Sequence, residues 1–198
     1  MSSVTQRPGS PDPPNAPVEV FPYGWRYVPK KLPDGTTDLV RIPLTLEDVL
    51  HPQYGDVMPE STLHARVRNY LGDVCHARTD GDPTALVISD VLIYWDDPTL
   101  NQHSPDIGVI FGVRNRDAPR KSFRVAQEQT RPRVIIEIVS PDTRSNDVDN
   151  KLVAYHQARV PYYIILDRAR EDDPWQLRGY RYAPGQYEEM TKDEHGRP

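Results

Sequence analysis

The chain has 198 residues with a formal net charge of −5, 37% hydrophobic residues, 21 prolines and one cysteine. This length suits one folded domain with extensions, and the low hydrophobic content indicates long irregular segments. The acidic balance excludes a global attraction to nucleic acid or anionic membranes, so a polyanionic partner would need a local basic patch. The single cysteine, Cys75, excludes a disulfide and a cysteine-based metal site within one chain. Because neither a signal-peptide core nor a membrane-length apolar run is present, we expect a soluble cytoplasmic protein without membrane contact.

The N-terminal region contains two polar or proline-rich segments. Residues 1–17 include five prolines and almost no apolar residues, which predicts a disordered tail. Residues 18–42 carry aromatic residues at alternate positions from 21 to 27, a pattern typical of an extended arm. Such an arm could lie against its own domain or against a second subunit. Within it, Pro33-Asp34-Gly35 is a strong turn signal.

Two helices are expected before the first strand. Thr45-Leu46-Glu47-Asp48 resembles a capping box, which predicts a short helix to about Leu50. Ser61 or Thr62 begins a longer helix, whose apolar residues follow the spacing of one buried stripe: Leu63, Val67, Tyr70, Leu71, Val74 and Cys75. Glu60 and His64 lie off this stripe. By spacing alone, they are more simply interpreted as N-terminal charge compensation and a solvated histidine.

Strand patterns follow from residue 85. Apolar runs predict strands over residues 85–95, 106–113, 133–139 and 162–166, with an edge strand over 176–182. Between the third and fourth strands, an amphipathic helix capped at Ser145, Asn146 or Asp147 is expected to end near Val160-Pro161. The order αβββαβ predicts an α/β (α+β) domain over residues 43–187, with a mixed central sheet flanked by helices, and a polar tail over 188–198.

A basic segment separates the second and third strands. Residues 114–133 contain seven arginines or lysines against Asp117 and Glu128, a local surplus of five positive charges. Such a segment could bind a phosphate backbone, but a solvated loop explains it equally well.

One carboxylate lies inside the most apolar strand. Glu137 stands between Val134-Ile135-Ile136 and Ile138-Val139. A continuous apolar run is typical of a strand covered on both faces, where an ionised carboxylate costs several kcal/mol unless a cation or hydrogen-bond donors compensate it. Glu137 is therefore the first candidate for a functional residue.

A second acid and a lysine could join it. Asp106 opens the preceding strand, so the two carboxylates converge if these strands pair, and a cation between them would keep both ionised. Oxygen ligands of this kind, with the Ile138 carbonyl as a further one, suit Mg²⁺ or Mn²⁺. Lys151 lies at the margin of the following helix and could direct its ammonium towards the strand. A metal and an ammonium beside a water suit phosphodiester hydrolysis, whereas a purely structural ion pair is the alternative.

These residues resemble a known superfamily. Pro105-Asp106 followed by Glu137-Ile138-Val139 on the next strand is similar to the PD-(D/E)XK nucleases. More closely, residues 140–167, SPDTRSNDVDNKLVAYHQARVPYYIILD, resemble the Uma-type restriction endonuclease-like family, which is abundant in cyanobacteria. The resemblance covers roughly residues 43–187. It implies a restriction-endonuclease-like core, divalent-metal binding by Asp106 and Glu137, and hydrolysis of DNA.

The resemblance includes one departure and one addition. The superfamily lysine should stand two residues after the acid, where this chain has Val139, so Lys151 on the helix is the candidate replacement. The helix before the sheet often supplies a further acid in this superfamily, which adds Glu60 and, less strongly, His64. Two hypotheses follow: a metal-dependent endonuclease, or a catalytically silent relative that binds DNA or serves as an assembly module. Because two active sites must reach two backbones to cut both strands, a homodimer or higher homo-oligomer is expected.

Overall fold

The structure is a computed structural model that describes residues 21–58, 60–139, 144–168 and 173–193, with the backbone alone for Leu50 and residues 144–149. The tail predicted over residues 1–17 and the turn predicted over residues 140–143 lie outside the described residues. Within the described ranges, the helices are α1 (Leu46–Leu50), α2 (Thr62–Thr79), α3 (Val125–Glu128) and α4 (Arg144–Gln157). The strands are β1 (Trp25–Lys31), β2 (Thr37–Pro43), β3 (Leu86–Ile88), β4 (Leu92–Tyr94), β5 (Ile107–Ile110), β6 (Ser122–Arg124), β7 (Pro132–Ile138), β8 (Tyr162–Asp167), β9 (Gln176–Tyr182) and β10 (Tyr187–Glu189).

A six-stranded mixed sheet forms the centre of the protein, in the order β10-β9-β8-β7-β5-β3. Only β7 and β8 run parallel, and α4 makes the crossover between them. The remaining neighbours are antiparallel. The predicted fold class, a mixed sheet flanked by helices, is confirmed. The aromatic side chains of Tyr155, Tyr163 and Tyr180 belong to its buried core, with aliphatic residues of the central strands.

The helix N-termini follow the sequence signals. Thr45 accepts from the backbone N–H of Asp48, whose carboxylate accepts from the backbone of Thr45, so the predicted capping box is present. Ser61 caps α2 by accepting from the backbone N–H of His64. The expectation of a buried stripe along α2 was wrong, because this helix has no fully buried side chain and Tyr70 is 67% exposed. α4 begins at Arg144, one residue before the predicted caps.

The run over residues 85–95 is not one strand. It divides into β3, which pairs with β5, and β4, which pairs with β6 in a separate two-stranded sheet. The break is at Asp90, whose φ of 52° is a left-handed conformation that ends extended structure. Asp90 therefore lies in a turn between strands of two different sheets. The apolar pattern of the sequence continues across this turn, which is why the run resembled a single strand.

The basic segment over residues 114–133 is not a solvated loop, because it contains β6 and α3. Arg120 donates to Glu128 and to backbone carbonyls of Asn115 and Ala118. Arg131 donates to the Ala158 carbonyl at 2.5 Å and to Asp96 at 2.6 Å. Much of the local positive charge therefore stabilises the fold.

Near both ends of the described residues, the structure contains strands that were not predicted from the sequence. β1 and β2 form an antiparallel hairpin within the predicted arm, and its turn includes Gly35 with a φ of 84°, where the turn was predicted. β9 was expected at the edge of the sheet, but β10 pairs outside it and extends into the predicted polar tail. Leu44, directly after the hairpin, is buried, so the hairpin is anchored at its base.

Candidate active site

Strands β5 and β7 place the two predicted acids side by side. Their antiparallel register pairs Ile107 with Ile136, and one step further along the same register Asp106 stands opposite Glu137. Asp106 is 9% exposed and Glu137 is 3% exposed. Since residues opposite one another on neighbouring strands are within contact range, the sheet brings two nearly buried carboxylates together.

Both oxygens of Asp106 accept hydrogen bonds. Oδ2 accepts from the Ile138 backbone N–H at 2.7 Å, and Oδ1 is 2.9 Å from Nε2 of His64. Burial raises the pKa of Asp106, but the hydrogen bond and charge of His64, with Lys151 and the Ile138 N–H, outweigh burial and lower the pKa below its ordinary value. Asp106 is therefore ionised at neutral pH. Because an ionised carboxylate only accepts, Nε2 of His64 carries the hydrogen.

Glu137 is compensated by two residues of α4. Lys151 Nζ donates to Oε2 at 3.1 Å, and the Tyr155 hydroxyl donates to Oε1 at 2.6 Å. Residues four apart lie on one face of a helix, so the spacing of Lys151 and Tyr155 directs both groups towards the same carboxylate. The side chain of Lys151 is 17% exposed and lines a cleft that opens to solvent.

Glu60, directly before the N-cap of α2, and His64, in the first turn of α2, extend this arrangement. Glu60 accepts from Arg68 at 3.0 Å and lies 3.8 Å from Nε2 of His64. Arg68 also forms an ion pair with Asp90, in the turn between β3 and β4. Burial lowers the pKa of His64, but the Asp106 hydrogen bond and the charges of Asp106 and Glu60 raise it above its ordinary value overall. A chain of charged groups therefore connects the surface turn at Asp90 to the buried Asp106.

A cleft of about 600 Å³ exposes these groups to solvent. Glu60, His64, Asp106, Glu137 and Lys151 all line it, as does the exposed Lys121. A concave site with a few convergent charged groups is the usual form of an active site. The structure thus brings together every residue that the sequence predicted for the site.

A nearly buried histidine also lines the cleft. His103 is 3% exposed and packs against the Tyr155 ring, with 5.3 Å between centroids. Its Nδ1 accepts from Trp95 Nε1 at 2.9 Å, and since the indole only donates, Nε2 carries the hydrogen. Burial lowers the pKa of His103 to about 3, with further lowering from the charges of Lys151 and His51. His103 is therefore neutral, and it supports the tyrosine that donates to Glu137.

The oxygen donors of the site match those that a divalent cation prefers. Two carboxylates and one backbone carbonyl are hard oxygen ligands, which Mg²⁺ and Mn²⁺ prefer, and Mg²⁺ retains several waters. The Ile138 N–H points at Asp106, and the carbonyl of a strand residue points to the same side as its N–H. No group of three His, Cys, Asp or Glu residues in the described ranges forms a complete protein cage. The residues fit an ion held mainly by water and two acids.

The roles of three residues in this site were not predicted from the sequence, or only weakly indicated by it. His64 was interpreted mainly as a solvated histidine, although it contacts Asp106. Tyr155 lies on the predicted amphipathic helix, but its bond to Glu137 was not foreseen. Lys121 was counted only as one charge of a basic segment. The sequence does contain a signal for the bond between Tyr155 and Glu137. A lysine and a tyrosine stand four residues apart on the helix that directly follows a strand with one acid.

The comparisons with known proteins decide the family. A profile of the Uma2 family, described as "putative restriction endonuclease", matches residues 54–197, more than half of the chain. The chain belongs to the Uma2 family. Family membership places it among nuclease-like proteins, as the resemblance implied. Among curated proteins, none matches the chain.

A solved structure agrees with the Uma2 fold. A crystal structure described as a "putative nuclease belonging to DUF820 from Anabaena variabilis ATCC 29413" is similar, with a TM-score of 0.50 and 18% identity. The similarity covers 77% of this chain and 86% of that one, and it supports the nuclease-like fold. Among the helices of the described residues, none has the length and apolarity needed to cross a membrane.

Proposed function

We propose that this Uma2-family protein is a divalent-metal-dependent endonuclease that hydrolyses phosphodiester bonds of DNA. The observation that carries the proposal is the position of the Lys151 ammonium, 3.1 Å from Glu137, which lies next to Asp106 in an open cleft. A structural ion pair does not need a cleft, whereas a hydrolytic site needs access for a phosphate and a water.

Asp106, Glu137 and the carbonyl of Ile138 are the groups that would bind Mg²⁺ or Mn²⁺. When bound, such an ion supplies positive charge at a phosphate oxygen and lowers the pKa of a coordinated water. The chain itself holds the carboxylates of Asp106 and Glu137 in fixed orientations before a substrate binds. The Ile138 N–H and His64 fix the orientation of Asp106, and Tyr155 fixes that of Glu137.

Lys151 is proposed to act on the substrate directly. Its ammonium has three donors, so it can keep the bond to Glu137 and still donate to a phosphate oxygen or to the attacking water. There it would stabilise the charge that develops on the phosphate. This assigns to Lys151 the role of the superfamily lysine, whose usual place is taken by Val139, 4% exposed and part of the core.

Glu60 is proposed to act from its position directly before α2, where it lines the cleft. Its carboxylate is held by Arg68 and lies 3.8 Å from Nε2 of His64, so it can orient the histidine or accept from a water in the cleft. Lys121 and Lys151 line the same cleft and can donate to phosphate oxygens there, beside the acids that would hold the cation. We place the protein in the cytoplasm, acting as a homodimer, in which two such clefts would reach the two strands of DNA. A monomer in light scattering would contradict the dimer.

The direct test is plasmid nicking with Mg²⁺ or Mn²⁺, comparing the unmodified protein with Glu137→Ala and Lys151→Ala. We expect cutting by the unmodified protein, a loss of at least about a hundredfold in each variant, and complete inhibition by a chelator. Tyr70→Ala, a change at an exposed position of α2 outside the cleft, is the control and should cut normally. Cutting that continues undiminished in both site variants would refute the site.

A catalytically silent relative that binds DNA or assembles is the second candidate. The observation that favours it is that protein donors already engage both oxygens of Asp106 and both oxygens of Glu137. Calorimetric titration with Mn²⁺ separates the two candidates. Binding that disappears in Asp106→Asn supports the nuclease, whereas no binding together with no nicking supports the silent relative.

A further inference from the structure

An aromatic side chain at the rim of the cleft points to the kind of nucleic acid that binds there. Tyr54 lines the same cleft as Asp106 and Lys151, yet it is 73% exposed. Met58, which is 40% exposed, lines the same cleft, and the buried Pro52 lies beneath this part of it. One wall of the cleft therefore offers apolar and aromatic surface, while its floor carries charged groups.

The turn that carries Tyr54 is firmly held. The Asp56 N–H donates to the Gln53 carbonyl at 3.1 Å, and Gly55 has a φ of 97°, which closes a tight turn over residues 53–56. Arg26 of β1 donates to both oxygens of Asp56, at 2.7 and 2.8 Å. The Asp56 side chain is only 2% exposed, so this two-pronged ion pair is nearly buried.

Two further contacts fix the same turn. Val57 and Trp25 exchange backbone hydrogen bonds at 2.8 and 2.9 Å, which joins the turn to the base of the hairpin. Arg26 also pairs with Asp48 in the first turn of α1, at 2.9 Å. The backbone that presents Tyr54 is thus fixed by contacts on both sides. Less conformational freedom is then lost on binding, because only the two side-chain torsions of the tyrosine remain to be ordered.

We propose that Tyr54 is a base-stacking residue and that the substrate class is DNA with an unpaired nucleotide at the cleft, such as a single strand, an overhang or a locally unwound segment of a supercoiled plasmid. The inference rests on the proposed function and narrows it. The bases inside an intact duplex are stacked on one another, so away from the duplex ends a base offers its face to Tyr54 only when it is unpaired. The charged floor takes the phosphate of the same strand, and stacking on an aromatic ring accepts any base.

The test is a binding measurement without metal, so that no hydrolysis is involved. Fluorescence anisotropy with a chelator present would compare three labelled probes: oligothymidine of roughly 20 nucleotides, longer than a single-strand site of about 4 to 16, an abasic strand of equal length, and a blunt duplex. The variants are Tyr54→Ala, Tyr54→Phe and the control Tyr70→Ala, which changes another exposed tyrosine outside the cleft. Melting curves establish that each variant is folded.

We expect oligothymidine to bind more tightly than either other probe. Tyr54→Ala should weaken its binding about tenfold and leave the abasic strand unaffected, because stacking needs a base. Tyr54→Phe and Tyr70→Ala should bind like the unmodified protein. Equal binding of oligothymidine by Tyr54→Ala, equal weakening on the abasic probe, or preference for the duplex would overturn the inference. Conversion of a dimer into a monomer by Tyr54→Ala would also overturn it, since Tyr54 would then contact protein.

Failure of this inference is distinguishable from failure of the proposed function. Binding of oligothymidine that depends on Tyr54, without cutting in Mg²⁺ or Mn²⁺, would keep the stacking residue and remove the nuclease. Cutting of a single strand that is unchanged in Tyr54→Ala would keep the nuclease and remove the stacking residue.

Discussion

The ion pair between Lys151 and Glu137 gives the sharpest stability prediction. The Glu137 side chain is 4% exposed and that of Lys151 is 17% exposed, so Lys151→Met would remove a cation that donates to a nearly buried carboxylate. Removing one partner of a buried pair costs about 3 to 5 kcal/mol. The bond from Tyr155 remains and the cleft admits water, so we expect a loss near the lower end, about 3 kcal/mol.

A urea-unfolding curve followed by circular dichroism would measure this loss. For a domain of this size, a loss of about 3 kcal/mol corresponds to a fall in Tm of roughly 6 to 12 °C. Lys121→Met is the matched control, because it removes an exposed lysine from the same cleft, and it should change stability by less than about 0.5 kcal/mol.

The double variant Glu137→Gln with Lys151→Met tests whether the two side chains stabilise each other. It replaces the pair by neutral groups of similar size, so it should be more stable than Lys151→Met alone, with a coupling energy of about 1 to 3 kcal/mol. A single variant that stays within about 1 kcal/mol of the unmodified protein, or a coupling energy near zero, would refute the claim that Lys151 compensates a buried charge.

The remaining predictions concern pH and packing. His103 has its pKa lowered to about 3 from an ordinary 6.5, so its contribution to stability is complete above pH 6.5 and is lost as the pH falls towards 3. Between about pH 7.5 and 5 this amounts to about 2 kcal/mol, and the pH slope in urea unfolding should shrink in His103→Gln; an unchanged slope would contradict it. Gly108→Ala should destabilise by about 1 to 3 kcal/mol, because a Cβ there would lie 2.9 Å from Cγ1 of Ile88. Its control, Gly72→Ala in α2, meets nothing within 4 Å and should stabilise by up to about 1 kcal/mol in the same melting experiment; equal effects of both would refute the packing argument.

Interactions between near neighbours could be read from the chain alone. The capping box at Thr45, the turn at Gly35 and the apolar strand around Glu137 all depend on residues a few positions apart. Such patterns also gave the order of helices and strands in the central sheet, and Lys151 was placed correctly because helix geometry fixes which side chains face a strand. An acid in an apolar strand demands a compensating group, and that demand is visible without coordinates.

The identity of most partners depended on which distant segments meet. His64 and Asp106 are 42 residues apart, and nothing near either residue indicates that Nε2 would lie against Oδ1. The apolar run around Asp90 divides between two sheets, because strand pairing and not hydropathy decides where it bends. The exposure of Tyr54 likewise follows from a turn clamped by Arg26 of another element. Sequence fixes which groups need partners, whereas the tertiary fold selects the partners, since contacts across the sheet are set by register and packing.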